Sequence, residues 1–95
     1  MKLTGSEKQI KWANDIIDRL TKTIDMNLER AKKYQMEDYI TAWETVKTQF
    51  EKDIIPNLLN QENNAAYIIE NRKKLDPQVV IDAANYIREQ NAKKN

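Results

Sequence analysis

The side chains that could carry out chemistry in this chain are carboxylates, lysines and tyrosines, because the sequence contains neither His nor Cys. His is the usual proton shuttle at physiological pH, and Cys and His are common metal ligands and nucleophiles. The pairs Asp15 with Asp18 and Glu37 with Asp38 could in principle form an acid/base couple or a magnesium site. Neither pair is accompanied by the convergent oxygen ligands of a cation site or by a glycine-rich phosphate loop. We therefore expect solvated helix faces, and predict no enzyme activity, no metal and no cofactor.

Three short basic clusters, at residues 30–33, 72–74 and 93–94, could bind phosphate groups. Each lies in, or just beyond, the last turn of a predicted helix, where cations interact favourably with the helix dipole. The net charge is only +1, with sixteen basic and fifteen acidic residues, so no overall field attracts nucleic acid. Helix-end electrostatics is the favoured explanation, and a nucleic-acid surface is the alternative. The residues of that alternative are Arg30, Lys32, Lys33, Arg72, Lys73 and Lys74.

The composition favours an all-α fold. The chain has 95 residues, of which 40% are hydrophobic and 33% charged, with one Gly and two Pro. A β-protein of this size needs more turn residues, and this length predicts a single domain, residues 1–95. The sequence contains neither an apolar run long enough to span a bilayer nor the apolar stretch of a signal peptide. We therefore expect a cytoplasmic protein without membrane contact.

Apolar periodicity predicts four helices, over about residues 7–33, 37–55, 64–74 and 77–90. Ser6 and Gln9 have the spacing of a capping box, which begins the first helix. The apolar residues that follow recur at three- and four-residue steps, so they form one narrow stripe along a long helix. They are Ile10, Ala13, Ile17, Leu20, Ile24, Leu28 and Ala31.

A second apolar stripe begins at Met36, out of phase with the first. The change of phase predicts a break near residues 34–38, although no Gly or Pro enforces it and one continuous helix remains the alternative. Pro56 is expected to end the second helix by Ile55, because it lacks an N–H donor and disfavours α conformation in the residue before it. Residues 56–64 are then a connector with a single turn of helix.

Asp76 and Pro77 form a strong helix start, with Asp76 as the N-cap and Pro77 at the first helical position. Residues 90–95 are expected to fray. The predicted architecture is a long antiparallel helical hairpin, with two shorter C-terminal helices packed on the start of the first helix. Trp12 and Ile16 widen the apolar stripe there, so we expect the shorter helices to cover Trp12; an exposed Trp12 would instead be a candidate interface anchor.

Residues 4–13 (TGSEKQIKWA), followed by Ile16 and Ile17, resemble a recurrent opening, TGSEKQI-x-WA-x-x-I, of small uncharacterised helical proteins and modules of bacteria, phages and mobile elements. Residues 66–72 (AYIIENR) are similar to a downstream segment of those modules, which usually has Trp before the Ile. The two segments cover less than a quarter of this chain. The resemblance implies no reaction and no site residues, but it implies that the Trp12 and Ile16 face docks the third helix. It also implies a phage or mobile-element origin.

We predict a small non-catalytic protein-binding module, and specifically an inhibitor of a host defence or nucleic-acid-processing protein. The expected partner is a host or phage protein. The alternative is a nucleic-acid-binding accessory protein that uses the basic clusters. Homodimerisation is a further expectation, because a long helical hairpin can leave apolar residues exposed that a second copy would bury.

Overall fold

Helices account for most of residues 2–93, the part of the chain that the computed structural model describes. Those residues contain no strand, so the predicted all-α fold is confirmed. No helix among them has the length and apolar character needed to cross a membrane. The elements in chain order are α1 (Glu7–Lys33), α2 (Glu37–Gln49), a π-helical turn (Phe50–Ile54), α3 (Ile55–Leu59), α4 (Asn64–Glu70) and α5 (Pro77–Lys93).

The predicted capping box begins α1. The Gln9 N–H donates to Ser6 Oγ at 3.2 Å, and the Ser6 N–H donates to Gln9 Oε1 at 3.0 Å. These bonds satisfy backbone donors that have no partner within the first turn of a helix. The apolar stripe then faces the core, with Ile10 half-buried at its start. The buried residues of α1 are Ala13, Ile16, Ile17, Leu20, Ile24, Leu28 and Ala31.

The break between α1 and α2 is a Schellman motif. Gln35 adopts a left-handed conformation with φ 54°, the Met36 N–H donates to the Ala31 carbonyl at 2.9 Å, and the Gln35 N–H donates to the Lys32 carbonyl at 3.2 Å. This pair of bonds satisfies the last carbonyls of α1 and reverses the chain direction. The break is therefore enforced by backbone hydrogen bonds without Gly or Pro, and the alternative of one continuous helix is excluded.

The second helix does not end at Ile55 as predicted. Helical backbone continues through the π-helical turn into α3, and the Ile55 N–H donates to the Phe50 carbonyl, five residues earlier. Pro56 lies in the first turn of α3, where a missing N–H donor costs little. The wider π turn thus accommodates the proline.

The third helix is shorter than predicted, because α4 ends at Glu70 rather than at residue 74. From Arg72 onward the backbone forms turns closed by hydrogen bonds between residues three apart, with the Lys74 N–H donating to the Asn71 carbonyl at 2.9 Å. The Asn71 side chain also donates to the Tyr67 carbonyl at 2.8 Å. This local bonding competes with helix propagation, as Asn side chains commonly do.

The fourth predicted helix begins as expected and extends further than expected. The Gln78 N–H donates to Asp76 Oδ1 at 2.8 Å, which makes Asp76 an N-cap ahead of Pro77. The helix continues past residue 90 to Lys93, although we expected fraying there. The last two residues of the predicted frayed segment lie outside the described residues.

α1 and α2 form the predicted antiparallel hairpin, and α4 packs against α1. The last helix differs from the prediction, because α5 lies chiefly along α2 and contacts α1 less. Ile81 of α5 lines a pocket together with Tyr39 and Trp43 of α2, at this contact between the two helices. The Arg88 guanidinium also lies 4.4 Å from the Tyr39 ring centre.

The N-terminal segment is tied to the start of α4 by Asn64, which is only 3% exposed. The Thr4 N–H donates to Asn64 Oδ1 at 2.7 Å, and the Asn64 N–H donates to Thr4 Oγ1 at 3.2 Å. Asn64 Nδ2 donates to the carbonyls of Lys2 and Leu59 at 3.2 and 3.3 Å. The Ala65 N–H donates to the Thr4 carbonyl at 3.2 Å. Four of these five hydrogen bonds connect the first residues of the chain to the start of α4, and the bond to Leu59 is local.

Candidate functional site

The six basic residues of the nucleic-acid alternative lie in two separate places. Arg30, Lys32 and Lys33 are exposed at the C-terminal end of α1, whereas Arg72, Lys73 and Lys74 are exposed in the turns after α4. Because α4 packs near the start of α1, the second cluster lies beside Trp12. Eighteen residues of α1 separate Trp12 from the first cluster, which is about 27 Å along the helix axis at 1.5 Å per residue. The fold therefore does not gather the six residues into one patch.

Trp12 is not covered as we expected, and its side chain stays 48% exposed. It lines a groove of about 200 Å³ between α1 and the segment that joins α4 to α5, which we call the Trp12 groove. The floor is apolar, and cationic side chains stand at its edge. The residues that define the groove are Trp12, Ile16, Arg19, Arg72, Lys73 and Leu75, with Asp76 and Pro77 at one end.

The Arg72 guanidinium lies over Trp12, with its central carbon 5.4 Å from the ring centre. Arg72 Nη1 also donates to the Ile69 carbonyl at 2.9 Å, which fixes the guanidinium in this position. A cation over an aromatic ring contributes about 0.5–1 kcal/mol at an exposed site. This contact joins the two segments of the resemblance, because Trp12 belongs to the first and Arg72 to the second. It also explains the exposure of Trp12, since a single polar side chain covers less area than an apolar helix face.

The Trp12 groove is electropositive. Arg19, Arg72 and Lys73 contribute three cations, and Asp76 contributes one carboxylate, whose Oδ1 already accepts the Gln78 N–H. The aromatic ring, the cations and the concave shape together suit an anionic group next to an apolar or aromatic one.

Sequence reasoning missed Arg19 as a site residue. The spacing in the sequence could have identified it. Arg19 follows Trp12 by seven residues, which is two helical turns, so both residues lie on the same face of α1. Lys73 and Arg72 join that face only through the packing of α4, which no local pattern in the sequence encodes.

The carboxylates of the two candidate pairs lie on exposed faces of α1 and α2. Asp15, Asp18, Glu37 and Asp38 are all exposed, and Asp38 Oδ2 accepts from Arg88 Nη1 at 3.4 Å. Across residues 2–93, no three or more carboxylates come close enough together to hold a metal ion.

A second groove of about 270 Å³ lies between α1 and the π-helical turn, and we call it the acidic groove. Buried Ile17, Ile24 and Phe50 form its floor. Three carboxylates, Asp18, Asp25 and Glu51, and one cation, Lys47, form its edge. It shares no residue with the Trp12 groove.

Comparison of the chain with protein-family models, curated proteins and solved structures finds no match. The geometry of the two grooves is therefore the basis for a functional proposal.

Proposed function

We propose that this chain is a non-catalytic protein-binding module whose Trp12 groove binds an acidic segment of a partner protein. The observation that carries the proposal is the exposure of Trp12 beneath the Arg72 guanidinium. Trp and Arg are the residue types most enriched among side chains that dominate binding energy at protein interfaces. A half-exposed Trp in a concave site can bury further apolar area when a partner binds.

The charge of the groove specifies the partner. Arg19, Arg72 and Lys73 favour carboxylates or phosphate groups, and the Trp12 ring favours an apolar or aromatic side chain beside them. A short acidic segment with one such side chain satisfies both requirements.

The separation of the basic clusters favours protein over nucleic acid as the ligand. Single-stranded nucleic acid is usually bound by a continuous basic track with successive stacking aromatics. This groove offers one aromatic ring, and Arg30, Lys32 and Lys33 lie about 27 Å further along α1. The nucleic-acid-binding accessory function is therefore the second candidate.

The resemblance extends the proposal to biological role. It predicts that binding occludes a host defence or nucleic-acid-processing protein, and that the partner is a host or phage protein. The sequence pattern, without an apolar span or a signal stretch, places this binding in the cytoplasm as part of the proposal. The lack of His and Cys is consistent with a role that requires no reaction of its own.

A display selection tests the proposal. Short random peptides are selected in parallel on the wild-type protein and on Trp12→Ala, and the enriched peptides are then measured by titration. We expect acidic sequences with an aromatic or large apolar residue, and an affinity that falls about tenfold or more in Trp12→Ala and in Arg72→Ala, which corresponds to about 1.4 kcal/mol.

Met26→Ala is the matched control, because Met26 is an exposed apolar residue of α1, at 60%, outside the groove. Circular dichroism of each variant is the check that its helices are retained. Equal enrichment on wild type and Trp12→Ala would refute the proposal. Tight binding of a single-stranded oligonucleotide that weakens steeply with added salt would favour the accessory function instead.

A further inference from the structure

The acidic groove has a net negative edge above an apolar floor. Lys47 Nζ lies 3.3 Å from Asp25 Oδ1, so the one cation at the edge is already paired. Among the described residues, Asp18 and Glu51 form no ion pair within the chain. The groove therefore suits a cationic segment that carries one large apolar side chain.

The turn between α1 and α2 has this chemistry. We use the name hairpin tip for the last two residues of α1 and the first residue after it, which are Lys32, Lys33 and Tyr34. Tyr34 is 64% exposed, and Lys33 Nζ lies 5.6 Å from the centre of its ring. The tip cannot reach the groove of its own chain, because α1 holds Lys33 about 18 Å from Thr21, in the middle of the groove.

The spacing of charges along α1 is self-complementary. Asp18, Asp25 and Lys32 follow one another at seven-residue intervals, so they lie on one face of the helix. A second copy in antiparallel orientation brings Lys32 of each chain towards the carboxylates of the other. Such an arrangement makes the same contact twice, as a two-fold symmetric dimer requires.

We propose that the acidic groove is the docking site for the hairpin tip of a second copy of this chain. Two tips and two grooves then form one symmetric interface. The contacts are largely between exposed charges, so association is weak and decreases with ionic strength.

Sedimentation equilibrium of the full chain over a range of concentrations, at low and at high ionic strength, tests the proposal. At low ionic strength the mass is expected to rise from the monomer value of 11.2 kDa towards twice that value. The double variants Lys32→Glu/Lys33→Glu and Asp18→Lys/Glu51→Lys are each expected to raise the dissociation constant by about tenfold or more.

Mixing the two double variants provides the decisive measurement. In a mixed dimer, the tip made acidic in the first variant meets the groove made basic in the second. The unchanged tip of the second variant meets the unchanged groove of the first. Association is expected to return in the mixture to near the wild-type level. Lys8→Glu/Lys11→Glu is the control, because it makes the same charge change on α1 away from both tip and groove.

Monomeric mass at every concentration in low salt would overturn the proposal. So would a mixture that stays monomeric, or a control variant that weakens association as much as the tip variant. If the wild-type chain stays monomeric but binds a basic aromatic peptide in the acidic groove, the proposal is wrong and the groove binds a different protein. Because the two grooves share no residue, failure here is distinguishable from failure of the Trp12 groove proposal.

Discussion

Asn64 and Thr4, sixty residues apart in sequence, exchange hydrogen bonds through both backbone and side chain. Asn64 is the one buried polar residue in the described part of the core, and its side chain also donates to two carbonyls. The TGSEKQ opening therefore has a structural role, in which Thr4 holds the start of α4 and the residues after it cap α1.

Replacing Asn64 with Ala is expected to lower the free energy of unfolding by about 2–3 kcal/mol, because the Thr4 N–H and the carbonyls of Lys2 and Leu59, in partly buried hydrogen bonds, lose their partners. The melting temperature should fall by roughly 10 °C or more. Thermal denaturation followed by circular dichroism measures the change. Asn57→Ala is the control, since Asn57 is exposed and its side chain makes no hydrogen bond to any of the described residues 2–93; an equal effect of both substitutions would contradict the prediction.

Gly5→Ala is expected to destabilise the fold by about 1–3 kcal/mol. Gly5 has φ +145°, and a Cβ atom there would lie 2.8 Å from Gln9 Oε1 and 3.2 Å from Ala65 Cβ. The substitution strains the backbone and disturbs the capping box together. Urea denaturation provides the measurement, with Lys8→Ala at an exposed helical position as the control. Unchanged stability of Gly5→Ala would show that this turn does not need glycine.

Gln35→Gly is expected to stabilise the protein by about 0.5–1 kcal/mol, because Gln35 occupies the left-handed position of the Schellman motif at φ 54°. Gln49→Gly is the matched control with the opposite sign, since Gln49 has right-handed helical φ −62° and Gly there costs about 1 kcal/mol. Guanidinium denaturation of both variants separates the two effects. A loss of stability in both would mean that Gln35 makes a compensating contact.

Ile68→Ala is expected to cost about 2–5 kcal/mol, because Ile68 is 0% exposed where α4 packs on the core. Ile54→Ala is the control, since Ile54 is 38% exposed in the π-helical turn and should cost much less. Similar losses in the two variants would indicate that α4 packs more loosely than the structure has it.

The sequence was sufficient for features that depend on neighbouring residues. The capping box at Ser6, the N-cap at Asp76 and the buried stripe of α1 were predicted correctly, because each follows from contacts within one or two turns. The effect of Pro56 was predicted wrongly, since a proline ends a regular α-helix but a π-helical turn can absorb it. The break at Gln35 was predicted only from the change of phase between the two apolar stripes.

The two grooves exist only because of the tertiary structure, since each is lined by residues from segments that are distant in sequence. Whether Trp12 is covered depends on which side chain the packing of α4 brings to it. That side chain is Arg72, whose guanidinium lies over the ring where we expected an apolar helix face. The separation of the basic clusters and the position of α5 along α2 likewise follow from packing between distant segments. The amino-acid sequence by itself determined where the four predicted helices begin and which of their faces are apolar, because those depend on local capping and periodicity. Only the tertiary structure decided which faces stay exposed, because burial is set by contacts among residues far apart in the chain.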